Sequence, residues 1–387
     1  MIKPGGMAVD GSKPFDVIVV GVGGIGSAAL FHLARSGLRV LGIERFGVPN
    51  EQGSSHGVTR IIRLAYYEDP SYVPLLSRAY ELWRELETVA GERLLHITGS
   101  VDAGPPDSFV FEGSVRSCVE HALEHEVIDA AEVNRRFPGY RLPAESMAVF
   151  QPEGGFLLPE RCIAAHVDAA RRMGAAVKTD ERVLEWEPAS GGVRVATDRA
   201  VYEAERLVVA AGAWEGELTG LPVVAERQVL AWLDPLRPEL FSPARFPVFN
   251  LIVEEGRYYG FPVFGIPGFK FGRYHHLEEQ GDPDELDREP SQRDEQVLRA
   301  FAERYFPEGA GPTSSLKVCL FENTPDEHFL LGLHPEHENV VVAGGGSGHA
   351  FKFASVIGEL VAQLVAGESP RLDISLLSPE RFAGRSG

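Results

Sequence analysis

Two stretches with the order strand, glycine-rich turn, helix stand near opposite ends of the chain. The apolar run at residues 16–20 predicts a buried strand, residues 28–35 a helix whose small residues face a sheet, and residues 40–43 a second strand. The segment "ENVVVAGGGSGHAFKFASVIGELVAQLVAG" repeats strand, turn and helix near the other end. Such units bury their strands between helices, so both ends are expected to join one layered α/β domain.

The middle of the chain follows other periods. Residues 71–91 and 158–177 predict long amphipathic helices, and residues 291–306 predict another. A hairpin turn is predicted at "ASGG", and the strand at 206–210 runs into an Ala-Gly turn. Residues 228–275 alternate apolar and polar in short runs between turns, which is typical of an antiparallel sheet. We therefore expect one cofactor domain made from several chain segments, covered by a second domain built on an antiparallel sheet.

The predicted domain boundaries follow these changes of pattern. The cofactor domain is expected to comprise residues 14–90, 150–220 and 322–387, and the second domain residues 91–149 and 221–321. Residues 1–13 are expected to be a flexible tail.

Composition narrows the possible partners. The 387-residue chain is 44% apolar and has a formal net charge of −19 without a basic stripe, which argues against nucleic acid or an anionic membrane face. No apolar run reaches the length of a membrane span or a signal peptide, so no membrane partner is expected. The three cysteines form no CxxC pair, which favours a reduced, cytoplasmic setting, and no metal site is predicted.

A dinucleotide fingerprint occupies the first glycine turn. Gly21, Gly23 and Gly26 form GxGxxG after a strand and before a helix, and Glu44 ends the next strand 23 residues after Gly21. The first glycine permits a tight turn, the second lets backbone approach a pyrophosphate at the helix N-terminus, and the third allows close helix–strand packing. Glu44 is placed to accept a ribose hydroxyl. The full context favours a bound cofactor over a chance glycine turn.

Four longer stretches carry a family resemblance: "GSSHGVTRIIRLAYYEDPSYVPL" (53–75), "YYGFPVFGIPGFKFG" (258–272), "VCLFENTPDEHFLLG" (318–332) and "GGGSGHAFKFAS" (344–355). In this order and at these separations they resemble the monomeric sarcosine oxidase and N-methyltryptophan oxidase family, within the D-amino-acid-oxidase-like flavoproteins. The resemblance covers the chain after the tail. It implies an α/β fold, with an FAD-binding Rossmann-like (GR2-type) domain and a second α+β domain built on an antiparallel sheet.

The resemblance also implies an activity. The family oxidises secondary, N-methyl amino acids with FAD and dioxygen, which for sarcosine gives glycine, formaldehyde and hydrogen peroxide. Other secondary amino acids, such as N-methyltryptophan or proline-like and pipecolate-like amines, stay open as substrates. Three other hypotheses remain: a flavin dehydrogenase with a non-oxygen acceptor, an NAD-dependent enzyme, and a non-catalytic dinucleotide-binding protein. The family name suggests a monomer.

The family attaches FAD covalently through a cysteine thioether, and Cys319 is the matching residue. Residue chemistry alone explains a lone cysteine in an apolar strand as a packed small hydrophobe. Cys118 and Cys162 lie in helix-like contexts without such a motif and keep that interpretation.

The segment "SHGVTRIIR" supplies His56, Arg60 and Arg63. A spacing of three places both arginines on one face of a helix. The resemblance places Arg60 against the flavin and makes Arg63 the grip on the substrate carboxylate, because a guanidinium meets a carboxylate bidentately. A solvated arginine pair is the alternative. His56 belongs to the implied catalytic set.

Two lysines each lie between two phenylalanines, in a chain with six lysines and 31 arginines. The resemblance makes Lys352 a second cation on the substrate carboxylate and a cofactor contact. It makes Lys270 the residue that activates dioxygen, because a fixed positive charge stabilises the negative charge that develops there. The flanking phenylalanines are expected to provide dry walls. Snorkelling lysines on half-buried elements are the alternative.

Aromatic and imidazole positions depart from the family pattern. Tyr259 matches a family active-site tyrosine. The family histidine four positions after the oxygen-activating lysine is here Tyr274, so His275 is predicted as the catalytic histidine, with His276 as the other possible register. A family tyrosine is replaced by Phe321. Other predicted cofactor contacts, also implied by the resemblance, are Arg45, Ser54, Thr59, Val183, Gly212, Gly346, Gly348 and His349, with helix capping as the alternative role for His349.

Overall fold

The computed structural model describes residues 14–383, so the predicted tail at 1–13 lies outside the described residues. Within that range the helices are α1 (Gly24–Arg35), α2 (Tyr72–Ala90), α3 (Phe109–Glu120), α4 (Ala130–Arg136), α5 (Pro159–Arg172), α6 (Glu215–Thr219), α7 (Gln292–Tyr305) and α8 (Ala354–Val365). All the helices predicted from periodicity are present, and α1 begins four residues earlier than expected. None of the helices of residues 14–383 is both long and apolar enough to cross a membrane.

The strands are short, and most belong to two large sheets. They are β1 (Phe15–Val20), β2 (Val40–Ile43), β3 (Arg60–Ile62), β4 (Leu95–Ile97), β5 (Ser100–Gly104), β6 (Glu126–Asp129), β7 (Met147–Gln151), β8 (Gly155–Leu157), β9 (Ala176–Lys178), β10 (Val183–Ala189), β11 (Gly192–Thr197), β12 (Val201–Val209), β13 (Val224–Leu233), β14 (Val248–Val253), β15 (Gly256–Phe261), β16 (Phe269–Arg273), β17 (Gln280–Gly281), β18 (Thr313–Asn323), β19 (Leu330–His334) and β20 (His337–Gly344).

The first sheet has a parallel centre in the order β9-β2-β1-β12-β20. The β10–β11 hairpin extends it beside β12, and β19 pairs antiparallel with β20. Strands from both ends of the chain therefore meet in one sheet, with α1, α5 and α8 packed together beside it. This parallel sheet with helices packed beside it confirms the predicted α/β, Rossmann-like fold class. Ligands of such sheets bind beyond the carboxyl ends of the parallel strands.

The second sheet follows the order β17-β13-β16-β15-β14-β5-β7-β6, with β18 also paired to β13. The predicted antiparallel pairing across 228–275 is confirmed, whereas β5 joins β14 in parallel. One face is covered by an aromatic core that includes Phe246, Phe249, Phe269 and Phe306. Strands β3, β8 and β4 form a small third sheet. The division of the chain into two domains at the stated residues stays a prediction.

Candidate functional site

A deep cleft opens at the carboxyl ends of β1 and β2. It encloses about 1400 Å³, space open to solvent included, and glycines of both chain ends line it. The two glycine turns predicted from sequence thus form one continuous wall.

The first glycine turn is packed as a dinucleotide fingerprint requires. Gly21 has φ +84°, and a Cβ on Gly26 would lie 1.9 Å from the Gly21 carbonyl oxygen. Helix α1 begins at Gly24 rather than at residue 28, because the turn itself supplies its first residues. A Cβ on Gly23 would meet nothing within 4 Å, so this glycine leaves open space in front of the helix N-terminus. An anionic ligand is favoured at such a helix end.

Glu44 closes the same end of the cleft. One of its carboxylate oxygens accepts from Val22 N at 2.8 Å and the other from Phe46 N at 3.1 Å. Burial raises the pKa of Glu44 above its usual value, although these bonds oppose the shift. Arg45 lines the cleft beside it and pairs with Asp284 at 2.8 Å.

Most, but not all, of the predicted cofactor contacts line this cleft. Those that line it are Gly21, Gly23, Glu44, Arg45, Ser54, Arg60, Val183, Gly212, Gly346, Gly348 and His349. Those that do not are Gly26, Thr59, Cys319 and Lys352. Gly26 packs against the backbone of Gly21, and the other three are buried residues.

Cys319 lies in β18, buried to 2% exposure, opposite Gln228 of β13. It belongs to an apolar cluster with Trp232, Tyr259 and Phe261. Because alternate residues of a strand share one face, Cys319 points to the same side as Phe321, which lines the cleft. Burial raises the pKa of the Cys319 thiol, while the charges of Arg60 and Lys270 lower it.

Lys270 shares those apolar walls. Its ammonium donates to the carbonyl oxygens of Gly57 and Thr59, both at 2.7 Å, and to Thr59 Oγ1 at 3.1 Å. It lies 4.3 Å from the ring centroid of Phe261 and 5.5 Å from that of Trp232. Burial, followed by the charge of Arg60, lowers the pKa of Lys270 well below its usual value.

The prediction that the flanking phenylalanines wall this lysine is wrong. Phe269 and Phe271 point into the aromatic core on the opposite face of the sheet, because successive strand residues alternate. The walls come instead from neighbouring strands. In the other Phe-Lys-Phe segment, Phe353 does lie near Lys352, whose Nζ is 5.6 Å from the ring centroid.

The prediction of a shared helical face for Arg60 and Arg63 is also wrong. Residues 60–62 form β3, which pairs with β8 because Ile61 and Ile62 are β-branched and pack on its apolar side chains. Arg60 donates to the carbonyl oxygens of Ser54 and Thr59 and lines the cleft. Arg63 turns the other way and is buried to 1% exposure, so neither is a solvated surface arginine.

Two buried cations converge on the ring of Tyr66. The guanidinium carbon of Arg63 lies 4.6 Å from its centroid and Lys352 Nζ lies 5.2 Å from it. The Tyr66 hydroxyl is hydrogen-bonded to His349, which lines the cleft. Burial, with the charge of Arg63, lowers the pKa of Lys352 to about 7. The cations therefore connect to the cleft through Tyr66 and then His349.

Arg63 already has carboxylate partners. Its Nη2 lies 2.9 Å from Glu68 and its Nε 3.5 Å from Asp102. Burial works to raise the pKa of Glu68, but Arg63, His349 and Lys352 together lower it to about 2. Burial raises the pKa of Asp102 to about 6. Arg63 Nη1 also donates to the Ala65 carbonyl oxygen, and Lys352 Nζ donates to the His349 carbonyl oxygen, each at 2.6 Å. A carboxylate ligand arriving here would therefore meet Nε and the second Nη1 hydrogen of Arg63, together with the other two hydrogens of the Lys352 ammonium.

The histidines have distinct environments. His275 Nδ1 lies 2.8 Å from Glu226 and its ring 6.1 Å from that of Phe321, whereas His276 pairs with Asp294 at 2.9 Å. Only His275 thus stands beside a residue that lines the cleft. His349 bonds to Tyr66 and to the Glu327 carbonyl, so its side chain makes no helix cap. Tyr259 lies with Cys319 in the apolar cluster.

Comparison with known proteins identifies the family. The profile of the DAO family, FAD dependent oxidoreductase, matches residues 16–364. A monomeric sarcosine oxidase of Streptomyces avermitilis is 40% identical over 383 residues, covering 96% of this chain and 99% of its own.

The chain belongs to the FAD-dependent oxidoreductases of this family.

Two further relatives agree with this assignment. An N-methyl-L-tryptophan oxidase of Yersinia pestis is 34% identical over 376 residues, covering 95% of this chain and 99% of its own. The solved structure of NikD, described as an unusual amino acid oxidase essential for nikkomycin biosynthesis, superposes with a TM-score of 0.83 at 27% identity, covering 95% of this chain and 98% of its own. The family resemblance inferred from the four motifs is confirmed.

FAD fits the residues that line and flank the cleft. The open space at Gly23 and the carboxylate of Glu44 suit the pyrophosphate and a ribose, as in other dinucleotide folds. Beyond them, both ring nitrogens of buried His56 lack a hydrogen-bond partner among residues 14–383. Burial, with the charges of Arg60 and Lys270, lowers the pKa of His56 to about 3, so the ring is neutral and free to meet a polar ligand edge.

Sequence reasoning missed several residues of this site. Glu322 lines the cleft, accepts a hydrogen bond from Ser54, and has its pKa raised by burial to about 7. An acid in an apolar strand three residues after Cys319 was the available signal. Glu68, Asp102 and Arg257 come from three separate segments, and no local pattern indicates that they meet.

Proposed function

We propose that this FAD-dependent oxidoreductase is an oxidase of secondary, N-methyl amino acids. Its reaction with sarcosine would convert sarcosine, O₂ and water to glycine, formaldehyde and H₂O₂. The observation that carries the proposal is the pair of buried cations, Arg63 and Lys352, on the ring of Tyr66 beside the cleft. Two cations linked to the cofactor cleft through Tyr66 and His349 suit an amino-acid carboxylate.

The chain's own residues would orient the substrate. FAD, when bound, supplies the acceptor for two electrons from the carbon next to nitrogen. Arg63 and Lys352 would fix the carboxylate, which leaves the amine little freedom to turn away from the cofactor. Because Nη2 of Arg63 donates to Glu68 and one Nη1 hydrogen is donated to the Ala65 carbonyl oxygen, the carboxylate would use Nε and the second Nη1 hydrogen.

Lys270 would serve the oxygen reaction. Its ammonium stands in the same apolar cluster as Cys319, enclosed by Trp232 and Phe261. A charge held in such a dry site stabilises developing negative charge more than an exposed one, which favours dioxygen as the acceptor. His56, Arg60, Tyr259 and His275 complete the proposed catalytic set.

Several finer features belong to the same proposal. We propose that FAD is joined covalently to Cys319, and that the protein is a monomer, as the names of its sarcosine oxidase relatives state for those proteins. The domain division given above and a cytoplasmic location stay predictions from the sequence.

A visible spectrum under anaerobic conditions tests the proposal. Sarcosine should bleach the yellow flavin, and admitted air should restore it with release of peroxide. Bleaching only by N-methyltryptophan, proline or pipecolate would change the substrate and keep the reaction class. Bleaching without reoxidation by air would point to a dehydrogenase. If no secondary amine bleached the flavin, the proposed function would be wrong.

A further inference from the structure

Arg257 lies on the same side of the second sheet as the proposed active site. It precedes Tyr259 by two residues in β15, and alternate strand residues share a face. Its guanidinium carbon lies 3.8 Å from the ring centroid of Tyr274 and 5.6 Å from that of Phe109. Tyr274 is itself packed against Tyr259, with ring centroids 4.9 Å apart. Through Tyr274 and Tyr259, Arg257 is thus packed next to the apolar cluster that contains Cys319.

Within residues 14–383, Arg257 contacts aromatic rings but has no ion pair and no side-chain hydrogen bond. The neighbouring carboxylates are committed elsewhere. Glu68 is held by Arg63 at 2.9 Å, and Glu327 lies 3.5 Å from His275. Both carboxylates act on Arg257 only at a distance, and together with Tyr67 and Tyr274 they raise its pKa against the effect of burial. Since a guanidinium stays charged and has five donors, this half-buried one keeps its hydrogen-bond donors for another anion.

The ring of Tyr67 lies between two guanidiniums. Arg63 stands 4.1 Å from its centroid and Arg257 stands 5.9 Å from it. Under the proposed function, Arg63 holds the α-carboxylate of the substrate. A side chain extending past Tyr67 from that carboxylate would therefore reach the donors of Arg257.

The aromatic group around Arg257 reaches the protein surface at Phe109. Phe109, the first residue of α3, is 50% exposed, and its ring lies 5.8 Å from that of Tyr67. An aromatic side chain is disfavoured, because Arg257 already covers a face of Tyr274.

We propose that Arg257 binds a second anionic group of the substrate, and that the enzyme prefers N-methyl amino acids with a carboxylate in the side chain. The proposal rests on the proposed function, because it needs the α-carboxylate at Arg63. It assigns Arg257 a role in substrate selection.

A matched pair of substrates provides the first test. N-methyl-L-glutamate and N-methyl-L-glutamine differ in side-chain charge but hardly in shape. The kcat/KM for flavin reduction should favour the glutamate by about tenfold or more, and added salt should reduce the ratio. Sarcosine is measured beside them. If sarcosine reduces the flavin but the glutamate shows no advantage over the glutamine, the inference is overturned while the proposed function stands. If no secondary amino acid reduces it, both fail.

Substitutions of Arg257 then test whether its charge causes the preference for the glutamate substrate. Arg257→Met keeps much of the bulk and should bring the glutamate-to-glutamine ratio close to one, whereas Arg257→Lys should keep part of the preference. Arg194→Met is the matched control, because Arg194 lies in β11 of the first sheet and pairs with Glu187 and Glu203 at the surface. Equal losses for both substrates in Arg257→Met, with the ratio unchanged, would assign Arg257 a structural role and overturn the proposal.

A binding measurement avoids turnover altogether. Titration calorimetry with glutarate and butyrate, which differ by one carboxylate, should give a lower Kd for glutarate in the unaltered enzyme. Arg257→Met should abolish that difference, and Arg194→Met should retain it. Equal Kd values for the two acids in the unaltered enzyme would count against the anion site.

Discussion

The ammonium group of Lys270 lies 2.7 Å from the backbone carbonyl oxygen of Gly57. This bond ties the second sheet to the loop that carries His56 and leads into Arg60 of β3, because Lys270 lies in the middle of β16. The ammonium group of Lys270 is therefore held in position by both the second sheet and this loop.

Lys270→Met should slow the reaction with dioxygen far more than the reaction with substrate. Methionine keeps the bulk but removes the charge, so we expect reoxidation of the reduced flavin to slow by about 100-fold or more. Anaerobic reduction by sarcosine should change less. Stopped-flow spectroscopy of the two half-reactions measures both. Lys178→Met, at an exposed position in β9, is the control. Equal slowing of both half-reactions would assign Lys270 a general structural role.

Cys319→Ala should release the flavin. If a thioether joins FAD to Cys319, the unaltered protein keeps its yellow colour in the pellet after acid precipitation, and a tryptic peptide containing Cys319 carries the flavin mass. Cys319→Ala should leave the flavin in the supernatant. Cys118→Ala should behave as the unaltered protein does, since Cys118 is buried in α3. Flavin released from the unaltered protein would disprove covalent attachment.

Carboxylate binding should weaken as pH rises through about 7. The pKa of Lys352 lies near that value, so its charge is present below pH 7 and lost above it. We expect the Kd of acetate, a ligand that does not titrate in this range, to rise by about tenfold per pH unit above pH 7.

Lys352→Met should remove this dependence. Asp102, whose pKa is about 6, becomes negatively charged as pH rises through 6. Its titration is therefore nearly complete above pH 7, where Lys352 loses its charge, so measurements above pH 7 separate the two groups. A Kd that rises equally in Lys352→Met would show that another group titrates.

His275 should stabilise the fold at neutral pH and lose that contribution at high pH. The hydrogen bond with Glu226, followed by the carboxylate of Glu327 at 3.5 Å, raises the pKa of His275 to about 9, against about 6.5 in an unfolded chain. Its contribution is therefore fully present below about pH 6.5 and disappears as pH rises through 9.

Urea unfolding of His275→Gln against the unaltered protein measures this effect. The free energy of unfolding should differ by roughly 2 kcal/mol at pH 6 and converge by pH 10. His276→Gln is the comparison, because burial lowers the pKa of His276 and its effect has the opposite sign. A His275→Gln difference that is constant with pH would contradict the assignment.

Local patterns were sufficient for the parts of the molecule that local interactions determine. The glycine turn at 21–26 needs close backbone packing within a few residues, and the helix at 72–90 follows from its own apolar periodicity, so both were predictable. The motif around Cys319 indicated the family, and the comparisons confirmed it.

Side-chain direction was not predictable in this way. Arg60 and Arg63 have a spacing that suits a helix, and only pairing with β8 places them in and after a strand, where they diverge. Phe269 and Phe271 flank Lys270 in sequence yet point to the opposite face, because the sheet alternates its side chains. The side chains that enclose Lys270 are Trp232, which lies 38 positions earlier in the chain, and Phe261, which lies nine positions earlier.

The sequence by itself determined the cofactor fold, the family and the identity of the charged residues, because these depend on local motifs and on their order along the chain. Only the tertiary structure decided which charges are neutralised and which are left without a partner. Among residues 14–383, Arg63 pairs with Glu68 and Asp102, whereas Arg257 contacts aromatic rings and forms no ion pair. Such pairing is set by long-range packing of β3, β5 and β15, since the energy of a charge depends on what surrounds it after folding.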